Sequence, residues 1–153
     1  MLPYRERLFP SVWIVLATAL VIPASLLVFL PINPIVGVIS AIVLYLGTIG
    51  ALVATSPVIE IDEAGITAGR ARLPIEFSGE VESFTGSHAT LQRGPQLDAR
   101  AWLVIRGWID PVVKIPVNDP EDPAPYWLVS TRTPQRIIAA IDAAREARAP
   151  GEV

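Results

Sequence analysis

Two long uncharged runs near the start of the chain decide its fold: VWIVLATALVIPASLLVFL at residues 12–30 and IVGVISAIVLYLGTIGALVA at residues 35–54. Each run has about the 20 residues that a helix needs to cross a hydrocarbon core of roughly 30 Å. Only Pro31-Ile32-Asn33-Pro34 separates the runs, and a proline pair of this kind ends one helix and starts the next. The pattern predicts a hairpin of two antiparallel transmembrane helices over residues 12–54.

A soluble helix pair and a cleaved signal peptide both fit these runs less well. A buried helix pair in a soluble protein would leave no amphipathic face to present to water. A cleaved signal peptide has a shorter apolar region and a small-residue cleavage site, and residues 12–30 lack both features. Pro23 lies in the middle of the first run, where the loss of one backbone N–H group predicts a kinked helix.

The charges that flank the hairpin predict its orientation. Arg5 and Arg7 precede the first helix, Arg70 and Arg72 follow the second, and the intervening turn is uncharged. Because basic residues close to membrane spans favour the cytoplasmic side, both termini are expected in the cytoplasm. The sequence therefore predicts a protein of the cytoplasmic membrane with a cytoplasmic stub at residues 1–11.

Small residues recur at four-residue spacing along the second helix, at Gly37 and Ala41 and again at Gly47 and Ala51. Such pairs allow two helices to approach closely. Two uses stay open from the sequence: packing against the first helix of the same chain, and formation of a homo-oligomer through this face.

The chain after residue 57 has the sequence pattern of a soluble β-rich domain. Alternating strand candidates lie at 58–62, 66–68, 80–84, 101–105, 112–117 and 126–130, with extended chain at 70–77 and weaker alternation at 89–93. Thr133-Pro134 then suits a helix start, and Ile137 and Ile141 share one face of a C-terminal helix at 134–148. We expect an α+β cytoplasmic domain at 58–148, a six- or seven-stranded antiparallel sheet or barrel closed by this helix, and a disordered tail at 149–153. The order of elements resembles the bacterial pleckstrin-homology-like domains found behind paired membrane helices.

Composition excludes several functions for this domain. Residues 58–153 hold 10 basic and 14 acidic side chains, so nucleic acid is not the expected partner. The chain has no cysteine, which removes disulfides and thiolate chemistry. The single histidine, His88, lacks a partner nearby in sequence, and the acidic loop with Asp119, Glu121 and Asp122 lacks the spacing of a calcium loop. No catalytic residue, metal site or cofactor is predicted.

The most distinctive segment is LDARAWLVIRGWIDP at residues 97–111. Interpreted as one strand, it places apolar residues on one face and interleaves two guanidinium groups with two indoles on the other. The candidate site residues of that second face and its flanking acids are Asp98, Arg100, Trp102, Arg106, Trp108 and Asp110. Three interpretations stay open: a structural arrangement of stacked side chains, a binding face for a protein partner, and contact with anionic lipid headgroups.

These segments together resemble a known family. The stub Tyr4-Arg5-Glu6-Arg7-Leu8, the paired helices and LDARAWLVIRGWIDPVVKIPVNDPEDPAPYWLVSTRTP at residues 97–134 are similar to the actinobacterial membrane proteins of domain-of-unknown-function family 3093. The resemblance implies an actinobacterial inner-membrane protein and transfers no catalytic residue. It also implies that the Arg, Trp and Asp side chains of residues 100–110 and the run at 126–130 are family hallmarks.

The sequence thus leads to one principal hypothesis and two alternatives. The principal hypothesis is a non-enzymatic, membrane-anchored protein whose β domain binds a protein partner or the membrane surface. One alternative is an enzyme or transporter accessory subunit with a site near Asp98, Arg100, Arg106 and Asp110. The other is a domain that binds anionic lipid.

Overall fold

The computed structural model of the chain describes residues 4–148, and they fold as two compact units. The helical unit comprises residues 9–56. The β unit joins residues 4–8, which come before the helices, to residues 57–148, which come after them. The β unit is therefore discontinuous in sequence, with the whole helical unit inserted between its first strand and its second.

The helical unit contains α1 (Val12–Thr18), α2 (Val21–Phe29) and α3 (Pro34–Ala54). The expected single helix over residues 12–30 is thus divided at Ala19 and Leu20. Pro23 explains the break, because it has no N–H group for the Ala19 carbonyl and its ring would collide with that oxygen. The Ala19 carbonyl accepts a hydrogen bond from the Ile22 N–H group at 3.0 Å instead, which tightens this turn of the chain.

At the predicted turn between the two apolar runs, Asn33 caps the N-terminus of α3. The Asn33 side-chain oxygen accepts hydrogen bonds from the Ile35 and Val36 N–H groups at 2.9 and 3.4 Å, and Pro34 occupies the first helical position. Gly37 is buried, and a Cβ atom added to it would lie 3.5 Å from Phe29 Cβ, whereas nothing lies within 4 Å of Gly47. The first small-residue pair therefore packs within the chain, and oligomerisation through the second stays a prediction.

Segments Val12–Phe29 and Pro34–Ala54 are each long and apolar enough to cross a membrane. Only 6% and 11% of their apolar windows are buried within the chain. Large apolar side chains such as Trp13 and Leu27 are 79% and 78% exposed. This exposure distinguishes the pair from the core helices of a soluble protein, whose apolar faces are covered.

The first sheet of the β unit is an antiparallel meander of β1 (Tyr4–Arg7), β2 (Val58–Ile61), β3 (Gly65–Ala68) and β4 (Ala71–Pro74). Strand β1 pairs with β2 over its full length, from Tyr4 opposite Ile61 to Arg7 opposite Val58. Residues 4–7 of the predicted stub at 1–11 therefore form an edge strand of that domain.

The second sheet contains β5 (Glu82–Phe84), β6 (Trp102–Val104), β7 (Val112–Pro116) and β8 (Tyr126–Ser130), in the order β5-β7-β8-β6. Strands β6 and β8 run parallel, and the other pairs are antiparallel. The prediction of one antiparallel sheet or barrel was therefore wrong in two respects, since the described residues form two four-stranded sheets and one pair is parallel. The pleckstrin-homology-like fold is not confirmed.

Two α-helices, α4 (Gly86–Arg93) and α5 (Pro134–Arg148), and a short 3-10 helix (Ile75–Phe77) complete the described part of the β unit. Helix α4 replaces the weak strand predicted at 89–93, whereas α5 has the predicted bounds. Ile137, Ile141 and Ala144 of α5 belong to a main core with side chains from both sheets, and Ala89 of α4 packs in a smaller cluster with β7 and β8. Because both its faces are covered, β8 is buried throughout. The predicted disordered tail at 149–153 lies outside the described residues.

Candidate functional site

The six residues selected from the sequence do not share one face. Only Trp102–Val104 of the segment 97–111 is a strand, and the chain turns on either side of it. The interpretation of residues 98–108 as a single strand was therefore wrong. The glycine and the proline-flanked ends of the segment favour turns over a continuous strand.

The two tryptophans pack against the main core of the β unit. Trp102 is half-buried, its ring centroid lies 6.4 Å from that of the buried Trp127, and its indole N–H group donates to the Ala68 carbonyl at 3.4 Å. Trp108 is also half-buried, and the Arg106 guanidinium lies 5.9 Å from its ring centroid. Both indoles therefore contribute to the packing of the β unit.

Asp98 and Arg100 form a local ion pair on the turn before β6. The Arg100 Nη2 atom lies 3.1 Å from Asp98 Oδ2, and the Arg100 backbone N–H group donates to Asp98 Oδ1 at 2.8 Å. These contacts lower the pKa of the Asp98 carboxyl below its usual value and raise the pKa of Arg100. The Asp98 N–H group donates to the Tyr126 hydroxyl at 2.8 Å, so the turn is fastened to β8.

Asp110 has a different role, at the beginning of α4. One carboxylate oxygen accepts from the Gly86 N–H group at 2.7 Å, and the other lies 3.2 Å from Arg93 Nη2 at the far end of the same helix. Thr85, the residue before α4, makes no side-chain capping hydrogen bond. Asp110 therefore supplies the acceptor at the N-terminus of this helix. The rival site shared by Asp98, Arg100, Arg106 and Asp110 is accordingly split into separate local contacts.

A concave, strongly basic site lies elsewhere in the β unit, between β1 and the start of α5. We call it the arginine pocket, a cavity of about 270 Å³ lined by Tyr4, Arg5, Glu6, Arg7, Arg132, Thr133 and Arg136. All four arginines are exposed at its rim. Among residues 4–148 no group of three or more His, Asp or Glu side chains is arranged to hold a metal ion.

Glu6 organises the floor of the arginine pocket. Its carboxylate accepts hydrogen bonds from the Tyr4 hydroxyl at 2.8 Å, the Thr131 hydroxyl at 2.6 Å and the Arg132 backbone N–H group at 2.9 Å. Tyr4 also lies 2.7 Å from Thr133 Oγ1. Burial raises the pKa of the Tyr4 phenol above its usual value, so the hydroxyl stays protonated and can donate to Glu6.

The four arginines that line this pocket do not all lie on the same face of β1. Arg5 and Arg7 occupy alternate positions of β1, so both project to the face opposite Tyr4 and Glu6. Arg132 and Arg136 flank the first turn of α5, and the Arg136 guanidinium lies 5.8 Å from the Tyr4 ring centroid. Sequence analysis used Arg5 and Arg7 only for membrane orientation, because nothing in the sequence places β1 beside residues 132–136.

Comparison with known proteins identifies the chain at the level of its family. No curated protein and no solved structure matches the chain. A family profile described as protein of unknown function (DUF3093) matches residues 3–141. This range includes both apolar segments, both sheets, the arginine pocket and most of α5, and the chain therefore belongs to the DUF3093 family of proteins of unknown function.

Proposed function

We propose that the chain is an integral protein of an actinobacterial cytoplasmic membrane, anchored by its helical hairpin, and that its β unit is a cytoplasmic, non-catalytic binding module. The observation that carries this proposal is the pairing of β1 with β2. The Leu8 N–H group donates to the Pro57 carbonyl at 3.0 Å, directly beyond the last strand pair. The chain thus leaves the β unit at residue 8 and re-enters it at residue 57, beside the point of exit.

This pairing constrains how the apolar segments can cross a bilayer. Two paired strands must lie on the same side of the membrane, so the chain between them crosses an even number of times. The two apolar segments satisfy that condition with one crossing each. Exposed side chains such as Trp13 and Leu27 would be unfavourable in water, at about 25 cal/mol per Å² of apolar surface, and hydrocarbon removes that cost.

The charges support a cytoplasmic location for the β unit. Arg5 and Arg7 precede α1 closely, whereas residues 30–33 between the two spans carry no charge. The positive-inside rule then places the turn outside the cell and both ends of the hairpin inside.

A binding role fits the side chains better than a catalytic one. Asp98 and Asp110, the acids of the rival site, are engaged in an ion pair on a turn and in a helix cap, respectively. Trp102 faces Trp127 in the core, which argues against the predicted indole face as a partner surface. The arginine pocket is one of several polar cavities of the β unit and the one lined by four arginines, so we favour the membrane surface over a protein as the partner of the β unit.

Cysteine labelling tests the topology, because the natural chain has no cysteine to remove. Ile32→Cys lies in the exposed turn of the hairpin, and Gly107→Cys lies in an open loop of the β unit. A membrane-impermeant maleimide applied to intact spheroplasts should label Ile32→Cys and spare Gly107→Cys until the cells are lysed. The protein should also stay in the membrane fraction after carbonate extraction. Release by carbonate, or labelling of Gly107→Cys in intact cells, would refute the proposal.

A further inference from the structure

The residues that α4 buries and exposes are the reverse of those expected for a helix docked on a core. Leu91, the only large apolar residue of α4, is 40% exposed. The neighbouring Gln92 is only 8% exposed and lies on the inward face of the helix with the fully buried Ala89, three residues earlier. A docked helix normally turns its apolar residues toward the core and its polar residues toward water.

The hydrogen bonding of Gln92 is also incomplete. Its Nε2 atom donates to Gln96 Oε1 at 2.7 Å, but its own buried Oε1 atom accepts no hydrogen bond from the described residues. A buried carbonyl oxygen without a donor loses the hydrogen bonds that water would give it. The burial of Gln92 therefore favours opening of the helix, and Leu91 adds little to docking because much of its surface stays in water.

The polar contacts that hold α4 in place lie at its two ends. The Asp110 carboxylate accepts a hydrogen bond from the Gly86 N–H group at 2.7 Å. The Arg93 guanidinium donates to the Ile109 and Asp110 carbonyls at 3.4 and 3.0 Å. Both ends are thus fastened to the same stretch of chain, and between them Ala89 supplies a small buried apolar contact. With eight residues of mostly weak helix propensity, GSHATLQR, α4 does not persist as a helix away from the sheet.

The rest of the β unit does not depend on α4 for its main core. The face of the second sheet that α4 covers carries the smaller cluster, with Val112, Tyr126 and Leu128. The opposite face carries Val113 and Trp127, which pack in the main core with α5. The strand pairs of the second sheet are formed without α4. Opening of α4 therefore leaves the main core covered, and it costs less than global unfolding.

We infer that α4 is a conformational switch: it opens from the second sheet as a local unit while both sheets and α5 stay folded, and the burial of Gln92 in place of Leu91 sets how readily it opens. In the open state Val112, Tyr126 and Leu128 lose their cover, so the β unit presents an apolar surface that the docked state hides. Any molecule that binds one of the two states better shifts their populations. The inference goes beyond the proposed function and is independent of the proposed anchorage, because these contacts lie within the β unit.

Thiol labelling measures this opening in the full chain in neutral detergent micelles, because the natural chain has no cysteine. Ala89→Cys places a thiol beneath α4, and Val113→Cys places one in the main core. Both residues are 0% exposed, so an excess of maleimide reacts only when the structure around each thiol opens. Local opening of α4 should make Ala89→Cys react at least about 100-fold faster than Val113→Cys.

Substitutions within α4 test whether Gln92 sets the opening. Gln92→Met keeps the length of the side chain and removes the unpaired oxygen, so it should slow the labelling of Ala89→Cys about tenfold. Leu91→Met is the matched control at the exposed neighbour, and it should change the labelling rate by less than about twofold. Gln92→Leu gives the same readout if Gln92→Met does not fold.

Hydrogen exchange of the natural chain supplies a second measurement that needs no substitution. The backbone amides of α4 should exchange faster than those of β7 and β8. Their rates should also rise less steeply with urea, because local opening exposes less surface than global unfolding.

Two results would overturn the inference. If the α4 amides exchange with the rates and the urea dependence of the β7 and β8 amides, or if Ala89→Cys and Val113→Cys are labelled at equal rates, α4 opens only when the whole β unit unfolds. If Gln92→Met and Leu91→Met change the labelling of Ala89→Cys equally, the buried amide does not control the opening.

Discussion

Leu8→Ala tests whether the residues before the hairpin belong to the core of the β unit. Leu8 is 0% exposed, lies in the main core cluster and follows β1 directly. Truncation removes roughly three buried carbons at about 0.8 kcal/mol each and leaves a cavity, so the cost should be about 3–4 kcal/mol. Leu103→Ala is the matched control, because that side chain is 43% exposed on β6, and it should cost about 1 kcal/mol.

Urea unfolding of the full chain in neutral detergent measures both variants. The emission of the buried Trp127, with the half-buried Trp102 and Trp108, reports on the β unit, and a Trp13→Phe background removes the signal of the helical unit. With a slope of about 2 kcal/mol per M of urea, Leu8→Ala should lower the midpoint by about 1.5–2 M. A shift no larger than that of Leu103→Ala would refute the placement of residues 4–8 in this core.

Three further predictions concern the β unit. Gly65→Ala should destabilise the β unit by about 1–3 kcal/mol in thermal unfolding, because the new Cβ atom would lie 2.5 Å from a backbone carbonyl oxygen of β4. The control Gly107→Ala, which has open space around it, should change the stability by under about 0.5 kcal/mol. Asp110→Ala should cost about 1 kcal/mol and speed hydrogen exchange most at the start of α4, since it removes the acceptor of the Gly86 N–H group there. Unchanged exchange at the start of α4 would contradict the capping role. Asp98 should titrate by NMR below its usual pKa, and Arg100→Gln should raise that midpoint. Because the pKa of Asp98 is lowered in the folded protein, Asp98 contributes stability above the usual Asp pKa, and this stability is lost as the pH falls through the lowered pKa. An unchanged Asp98 midpoint in the Arg100→Gln variant would exclude the Asp98–Arg100 ion pair as the cause of the lowered pKa.

The parts of the fold that sequence analysis predicted are those with strong local signals. The apolar runs, the alternation of β2, β7 and β8, and the Thr133-Pro134 start of α5 each depend on a few neighbouring residues. Helix α4 was missed because its polar sequence, GSHATLQR, lacks a helical apolar pattern and because its cap is Asp110, far along the chain. Tertiary contacts of this kind override local propensity.

The site could be predicted only in fragments, for the same reason. Arg5 and Arg7 are conspicuous beside the first apolar run, and Arg132 and Arg136 have helical spacing. The contact between β1 and residues 131–132 depends on the hydrogen bonds of Glu6 with Thr131 and Arg132, which are 125 and 126 residues away in the chain. The alternation of Arg and Trp at residues 100–108 predicted a binding face instead, but the turns on either side of β6 place those side chains apart.

The insertion of the hairpin between β1 and β2 has a consequence for biogenesis. During synthesis β1 emerges before the hairpin and does not meet β2 until both apolar segments and β2 have followed it from the ribosome. If the hairpin spans the membrane as proposed, its insertion must therefore precede completion of the first sheet. Proteolytic cleavage within the hairpin would leave β1 held only by non-covalent contacts, and its loss would expose the hydrogen-bonding edge of β2, which favours aggregation. In a protein anchored as proposed, this order of elements couples maturation of the β unit to insertion of the hairpin.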